Sequence, residues 1–200
     1  MLERKMTPVL KWAGGKSQLL EQITQNMPIE YNRYYEPFIG GAAVLFGVAP
    51  LRAFINDINE QLVNLYTQLK NAVEVVIEKI GELDSMPCDK ELYYAIRQRY
   101  NDKILNRAFD AECAALMIWL NKHCFNGLYR VNSKGFFNVP YNNKIDGKSI
   151  NEDNLRFISK YLKKADIKIT CLDFEKVCEK VEKGDFVYFD SPYVPEKKAG

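Results

Sequence analysis

The chain has 200 residues, 47% of them apolar, with 28 basic and 26 acidic side chains and a net charge of +2. That composition suits one sizeable core with room for a smaller insert, and the charge by itself announces no nucleic-acid partner. A single histidine, His123, argues against a His-based zinc site or a catalytic triad, so no metal is expected. Five cysteines without a Cys-x-x-Cys pair argue against a disulfide framework and fit a reduced cytoplasm. The longest uniformly apolar run, 113–120, is too short to cross a bilayer, and the N-terminus has no signal-peptide apolar core.

In chain order, Lys11-Trp-Ala-Gly-Gly-Lys16 precedes a helix predicted over 17–27, with Leu19, Leu20, Ile23 and Met27 on one face. Its Gly-Gly-Lys-Ser invites a phosphate-binding loop, but that motif needs glycine five positions before Gly15, where this chain has Leu10. Tyr34-Tyr-Glu-Pro-Phe-Ile-Gly-Gly-Ala-Ala-Val44 reads as a strand, a glycine turn and a helix, which is where a nucleotide-like cofactor sits in a doubly wound fold. Ala53-Phe-Ile-Asn-Asp57 is the second strand. Asp57 lies 17 positions beyond Gly40, close to the spacing of an acid that meets ribose hydroxyls. The same residue can instead cap the next helix, whose stripe is Leu62, Leu65, Tyr66 and Leu69; the glycine turn before it favours the ribose.

Residues 72–120 read as helices that carry no obvious chemistry, with 113–120 buried all round. Residues 121–148 hold five basic side chains (Lys122, Arg130, Lys134, Lys144, Lys148) against one acid, Asp146, which suits either phosphates or a solvated face. Within them, 128–131 and 136–139 read as two short strands joined by Asn132-Ser-Lys-Gly135. Their mixture of polar, aromatic and basic side chains suits a DNA groove. Ser149-Ile-Asn-Glu152 is a capping box ahead of a helix with Leu155, Ile158 and Leu162 inward. A strand over 167–171 then leads to Asp173-Phe174, either a ligand contact or a helix cap with a buried aromatic, and a helix over 174–181. Finally Phe186, Val187, Tyr188 and Phe189 form an apolar run, predicted as a strand buried on both faces of a parallel sheet. Its carboxyl end delivers Asp190, Ser191, Pro192 and Tyr193 to the edge where open α/β sheets bind ligands.

Asp190-Ser-Pro-Tyr193 resembles the Asp-Pro-Pro-Tyr signature of amino-group DNA methyltransferases, with Ser191 at the first proline. Three more segments resemble the Dam-like branch, the D12 class (alpha-group) of adenine-specific DNA N6-methyltransferases. They are Lys11-Trp-Ala-Gly-Gly-Lys16, the glycine turn (Glu-Pro-Phe-x-Gly-x-Gly in that family, with Ala42 here at the last glycine) and the hairpin from Asn126 to Pro140. The resemblance implies a doubly wound, Rossmann-like, S-adenosylmethionine-dependent domain from 1–70 and 149–200, and a helical, hairpin-bearing target-recognition insert over 71–148. It implies cofactor contacts from Trp12, Lys16 (to the methionine carboxylate), Glu36, Phe38, Gly40, Gly41, Asp57, Asp173, Phe174 and Asp190. It further implies double-stranded DNA as partner, with GATC as the sequence read. Arg130 would contact guanine, Leu128 and Pro140 thymine, and Phe125 the gap beside the flipped adenine, supported by Asn126, Asn132 and Asn138.

The chemistry follows from adenine itself. Its N6 lone pair is delocalised into the ring, so a carboxylate and a backbone carbonyl that accept its hydrogens would localise the pair and favour positive charge as a methyl arrives. Asp190 and the carbonyl of Ser191 fill those roles, with Tyr193 stacked on the extruded base. Members of the class continue with further strands beyond this point, whereas the chain stops seven residues after Tyr193. A truncation is therefore expected to leave the strand before Asp190 at a sheet edge, open to self-association or a partner chain. An active adenine methyltransferase and a catalytically impaired remnant that binds DNA or S-adenosylmethionine both remain open. Methylation of a protein glutamine or of RNA accounts less well for the basic hairpin.

Overall fold

The computed structural model describes residues 6–144 and 147–191. Four parallel strands form its sheet: β1 (Tyr34–Glu36), β2 (Arg52–Asn56), β3 (Asp166–Thr170) and β4 (Phe186–Val187), in the spatial order β3-β2-β1-β4. The chain steps outward from β1 to β2 and β3, then returns to place β4 on the other side of β1. The strand order reverses there, so a crevice opens between the carboxyl ends of β1 and β4, as expected of a doubly wound Rossmann-like sheet. Tyr34 pairs with Ala53 on one side and with Phe186 on the other, which fixes the register of both neighbours.

The helices are α1 (Leu20–Gln25), α2 (Ala43–Val48), α3 (Glu60–Asn71), α4 (Val73–Asp84), α5 (Lys90–Leu105), α6 (Ala111–His123), α7 (Glu152–Lys164) and α8 (Phe174–Cys178). Residues 113–121 of α6 are all buried because α3, α4 and α5 pack against it, in line with the unbroken apolar run over 113–120. The predicted stripes of α3 and α7 face inward, and α4 buries Val73, Val76, Ile77 and Ile80. No helix of the described residues is long and apolar enough to cross a membrane.

Four local expectations need correction. The capping box does not form: Asn151 caps α7 by accepting from Asn154 N, while the Ser149 hydroxyl donates to Asp84 Oδ1 at 2.5 Å. A nearer carboxylate has captured the serine. The first helix is shorter than predicted, since Leu20–Gln25 has no side-chain cap and buries none of its residues. The hairpin turns as expected, with Asn132 N donating to Phe136 O and Asn138 N to Arg130 O, but its arms pair only through isolated bridges, among them Val131 with Phe137. Side chains of α5 hold its backbone instead: Asn101 bonds both backbone groups of Phe137, and Tyr93 donates to Val139 O. Finally, β4 is half-buried and Phe189 is 54% exposed, because among the described residues β4 pairs with β1 alone and so forms a sheet edge. That edge position is the one the sequence anticipates.

Candidate active site

The carboxyl ends of the strands surround a cleft of about 520 Å³ lined by residues of the Lys11–Lys16 segment, the glycine turn, the end of β2 and Asp190-Ser191. Gly40 takes φ +46°, a left-handed conformation that glycine adopts without strain. Its N–H donates to Asp57 Oδ2 at 3.1 Å and its carbonyl accepts from the buried Tyr66 hydroxyl at 2.6 Å. Asp57 also accepts from Asn59 N, and Asn59 rather than Asp57 caps α3. The capping role is thereby excluded for Asp57, which instead locks the glycine turn to the end of β2. Burial raises its pKa, opposed by the N–H groups of Asn59, Gly40 and Ile58.

Trp12 forms one wall. A methyl at Gly40 would meet its Cδ1 at 2.9 Å, and Tyr129 stacks on its other side with ring centroids 4.9 Å apart. Ala42, the departure from the glycine pattern, has φ 59° and is fully buried. It holds its backbone in a left-handed conformation, which costs an L-residue about 1–2 kcal/mol. Phe38 contacts Phe174 at 5.3 Å and Phe189 at 6.4 Å, which extends an apolar rim from the cleft. Asp173 caps α8 by accepting from Glu175 N, so the cap reading holds for it, while Phe174 is 40% exposed at the rim rather than buried.

Lys16 Nζ donates to Asp190 Oδ1 at 2.7 Å, to Asp190 Oδ2 at 2.6 Å and to Gly14 O at 2.7 Å. Ser191 lines the same cleft, whereas Pro192 and Tyr193 lie outside the described residues. Glu36 sits beneath this pair, fully enclosed, and accepts from the Tyr34 hydroxyl at 2.7 Å. Burial pushes its pKa up to about 8, with the Asp190 charge adding to the rise and the Tyr34 bond opposing it. At neutral pH burial therefore favours the protonated form of Glu36.

This shift has a stability consequence. Between pH 4.5 and about 8 the unfolded chain has released the Glu36 proton and the folded chain keeps it, so stability falls as pH rises, by at most about 1.4 kcal/mol per unit. Glu36→Gln is expected to flatten that slope in denaturant unfolding measured at pH 5, 6, 7 and 8. An unchanged slope would place the titration elsewhere.

Behind Trp12 lies a second cleft of about 770 Å³, between the N-terminal segment, the end of α6 and the turn at Phe125–Gly127. The Asn121 side chain accepts from Lys11 N and donates to Lys11 O and Gly127 O, so one buried amide joins the two motifs. Phe125 and Leu128 are exposed, at 51% and 41%, and Asn126 holds φ +57° at the tip of the turn. Arg130 Nε donates to Asn138 Oδ1 at 2.8 Å, which holds the guanidinium across the hairpin. Asn132 accepts from Lys134 N and Phe136 N and so builds the turn, while Pro140 O accepts from Phe125 N.

Residues 12–199 match the D12 class of N6 adenine-specific DNA methyltransferases. The chain belongs to this family. It is 43% identical to a type II methyltransferase of Lactococcus lactis subsp. cremoris, covering 95% of this chain and 66% of that protein. It is 45% identical to a type II methyltransferase of Methanocaldococcus jannaschii, covering 97% and 71%. Identity to a DNA adenine methylase of Haemophilus influenzae is 35%, covering 96% and 65%. The chain thus spans about two thirds of the length of these relatives.

The fold brings Trp12, Lys16, Glu36, Phe38, Gly40, Gly41, Asp57, Asp190 and Ser191 to one cleft, with Phe174 on the apolar rim next to it and Asp173 capping the helix behind. Three residues escape sequence reasoning. Ile58 lines the cleft and is 74% exposed, an apolar side chain in water directly after Asp57. Asn121 is a buried amide that closes the apolar run of α6. Asn56 bonds Pro37 O and both backbone groups of Leu172, tying the ends of β1 and β3 together. A polar residue closing an apolar run was the available signal for the last two.

Proposed function

We propose that this chain carries the catalytic domain of a DNA adenine-N6 methyltransferase that acts in the cytoplasm on an adenine flipped out of duplex DNA, in GATC. The observation that carries the proposal is the position of Asp190. It stands at the switch point of the sheet, on a cleft whose Trp12 wall also stacks on Tyr129 of the hairpin within the basic stretch 121–148.

The cleft suits S-adenosylmethionine in size and in donor set. Its volume of about 520 Å³ lies within the usual range for small-molecule sites. Asp57 retains lone pairs for ribose hydroxyls, Phe38, Ile58 and Phe174 offer an apolar bed for the purine, and Lys16 can meet a carboxylate. The cofactor supplies an electrophilic methyl group on a sulfonium. The protein holds the acceptor: Asp190 and the Ser191 carbonyl take hydrogen bonds from N6, raise its nucleophilicity and stabilise the positive charge that develops there. The hairpin supplies Arg130 for a base edge, Phe125 for the vacated stack, and Leu128 and Pro140 for apolar contacts, with Asn126, Asn132 and Asn138 shaping it.

The test is transfer of labelled methyl from S-adenosylmethionine to a GATC duplex, against a scrambled duplex. Label on adenine N6 of GATC supports the reading, and label on neither duplex by folded, cofactor-binding protein refutes it. A chain that binds without transferring is the second reading, favoured by Ser191 and by the strained Ala42. Ser191→Pro is expected to raise the transfer rate several-fold without tightening cofactor binding, because proline fixes the carbonyl that the chemistry uses; an unchanged rate would clear Ser191 of any handicap. Arg130→Ala is expected to cost about 1–3 kcal/mol of discrimination at one base pair. Competition binding with singly substituted duplexes measures this, and intact discrimination would remove Arg130 from base reading.

A further inference from the structure

We infer that Lys16 is an exchangeable counter-ion, released from Asp190 by the carboxylate of an amino-acid-bearing nucleoside, so that Asp190 becomes a full acceptor only once that ligand is in place. The inference rests on the cofactor proposed above and adds an order of events to it.

The Lys16 ammonium spans both oxygens of Asp190, at 2.7 and 2.6 Å, with Gly14 O as a third acceptor at 2.7 Å. Both partners are largely enclosed, with side chains 14% and 25% exposed, so the pair is shielded from water on most sides. Asp190 so held is poorly suited to its proposed task. A cation on its two oxygens drains the electron density that should reach the target amine, and it opposes positive charge developing on that nitrogen. Lys16 and Asp190 both line the cleft that Gly40 and Asp57 shape. A ligand carboxylate arriving beside Lys16 competes for the same ammonium with the same chemistry. Lys16 thus acts as a positioning residue, through Asp190.

Calorimetric binding to the full chain tests this with two nucleosides that share the adenosine thioether: S-adenosylhomocysteine, which has the carboxylate, and methylthioadenosine, which lacks it. If the carboxylate must displace Asp190, Asp190→Asn should tighten S-adenosylhomocysteine about five-fold or more and leave methylthioadenosine within about two-fold, which also reports an intact fold. In a Lys16→Met background the gain from Asp190→Asn should vanish, because no ammonium remains to be contested. A gain that persists there would reflect plain repulsion between carboxylates and would overturn the exchange, as would weaker or unchanged S-adenosylhomocysteine binding by Asp190→Asn alone. Failure of both nucleosides to bind the unsubstituted chain would instead withdraw the cofactor assignment, and the exchange with it.

Discussion

Asp190→Ala is expected to lower methyl transfer on the order of 10³-fold or more, the scale seen when a group that stabilises transition-state charge is removed. The reason is positional. Asp190 follows β4 at the edge of the cleft, whereas burial disfavours the charged form of Glu36 and Asp57 is tied to the glycine turn through Gly40 N and Asn59 N. Affinity for S-adenosylmethionine should stay within a few-fold, since removing Asp190 has two opposing consequences. The sulfonium loses an attractive charge, and Lys16 is released for the cofactor's carboxylate. Single-turnover transfer measured beside equilibrium binding separates the two quantities. Transfer that survived the substitution would assign the acceptor role to another group.

The second large effect is expected at Gly40. Replacement by Ala should weaken cofactor binding about 10- to 100-fold and destabilise the fold by about 1–2 kcal/mol, the cost of a left-handed L-residue. The added methyl would lie 2.9 Å from Trp12 Cδ1, and neither side can yield cheaply. The indole is backed by Tyr129, while the backbone is pinned through Asp57 on its N–H and Tyr66 on its carbonyl. Gly41→Ala is the comparison: its methyl would meet Trp12 Cβ at 3.1 Å, with no left-handed angle to strain. A calorimetric titration in which Gly40→Ala bound as well as Gly41→Ala would show that the turn does not shape the ligand's seat.

Much of this architecture is legible in local pattern. The stripes of α3 and α7 follow from 3.6-residue periodicity, the buried middle of α6 from its unbroken apolar run, and the glycine turn between β1 and α2 from the residues that form it. Among the described residues β4 lies at the sheet edge, as the resemblance implied. The helix starts were less legible. Ser149 has the right neighbours for a cap and yet serves Asp84, because a hydroxyl takes the strongest acceptor in reach and that acceptor is 65 residues away. Asp57 has the spacing of a cap and instead binds the glycine turn, since Asn59 meets the first N–H groups of α3 more directly.

The sequence alone determined the family resemblance, the doubly wound class of fold and the segments that meet at the cleft, because each rests on residues close together in the chain. Only the tertiary structure decided what those side chains do to one another. Lys16 faces Asp190 across 174 residues, Asn121 joins Lys11 to Gly127, and the protonation of Glu36 depends on enclosure by the whole domain. Charge pairing and desolvation depend on distance and burial, and those are properties of the packed chain, not of any stretch of it.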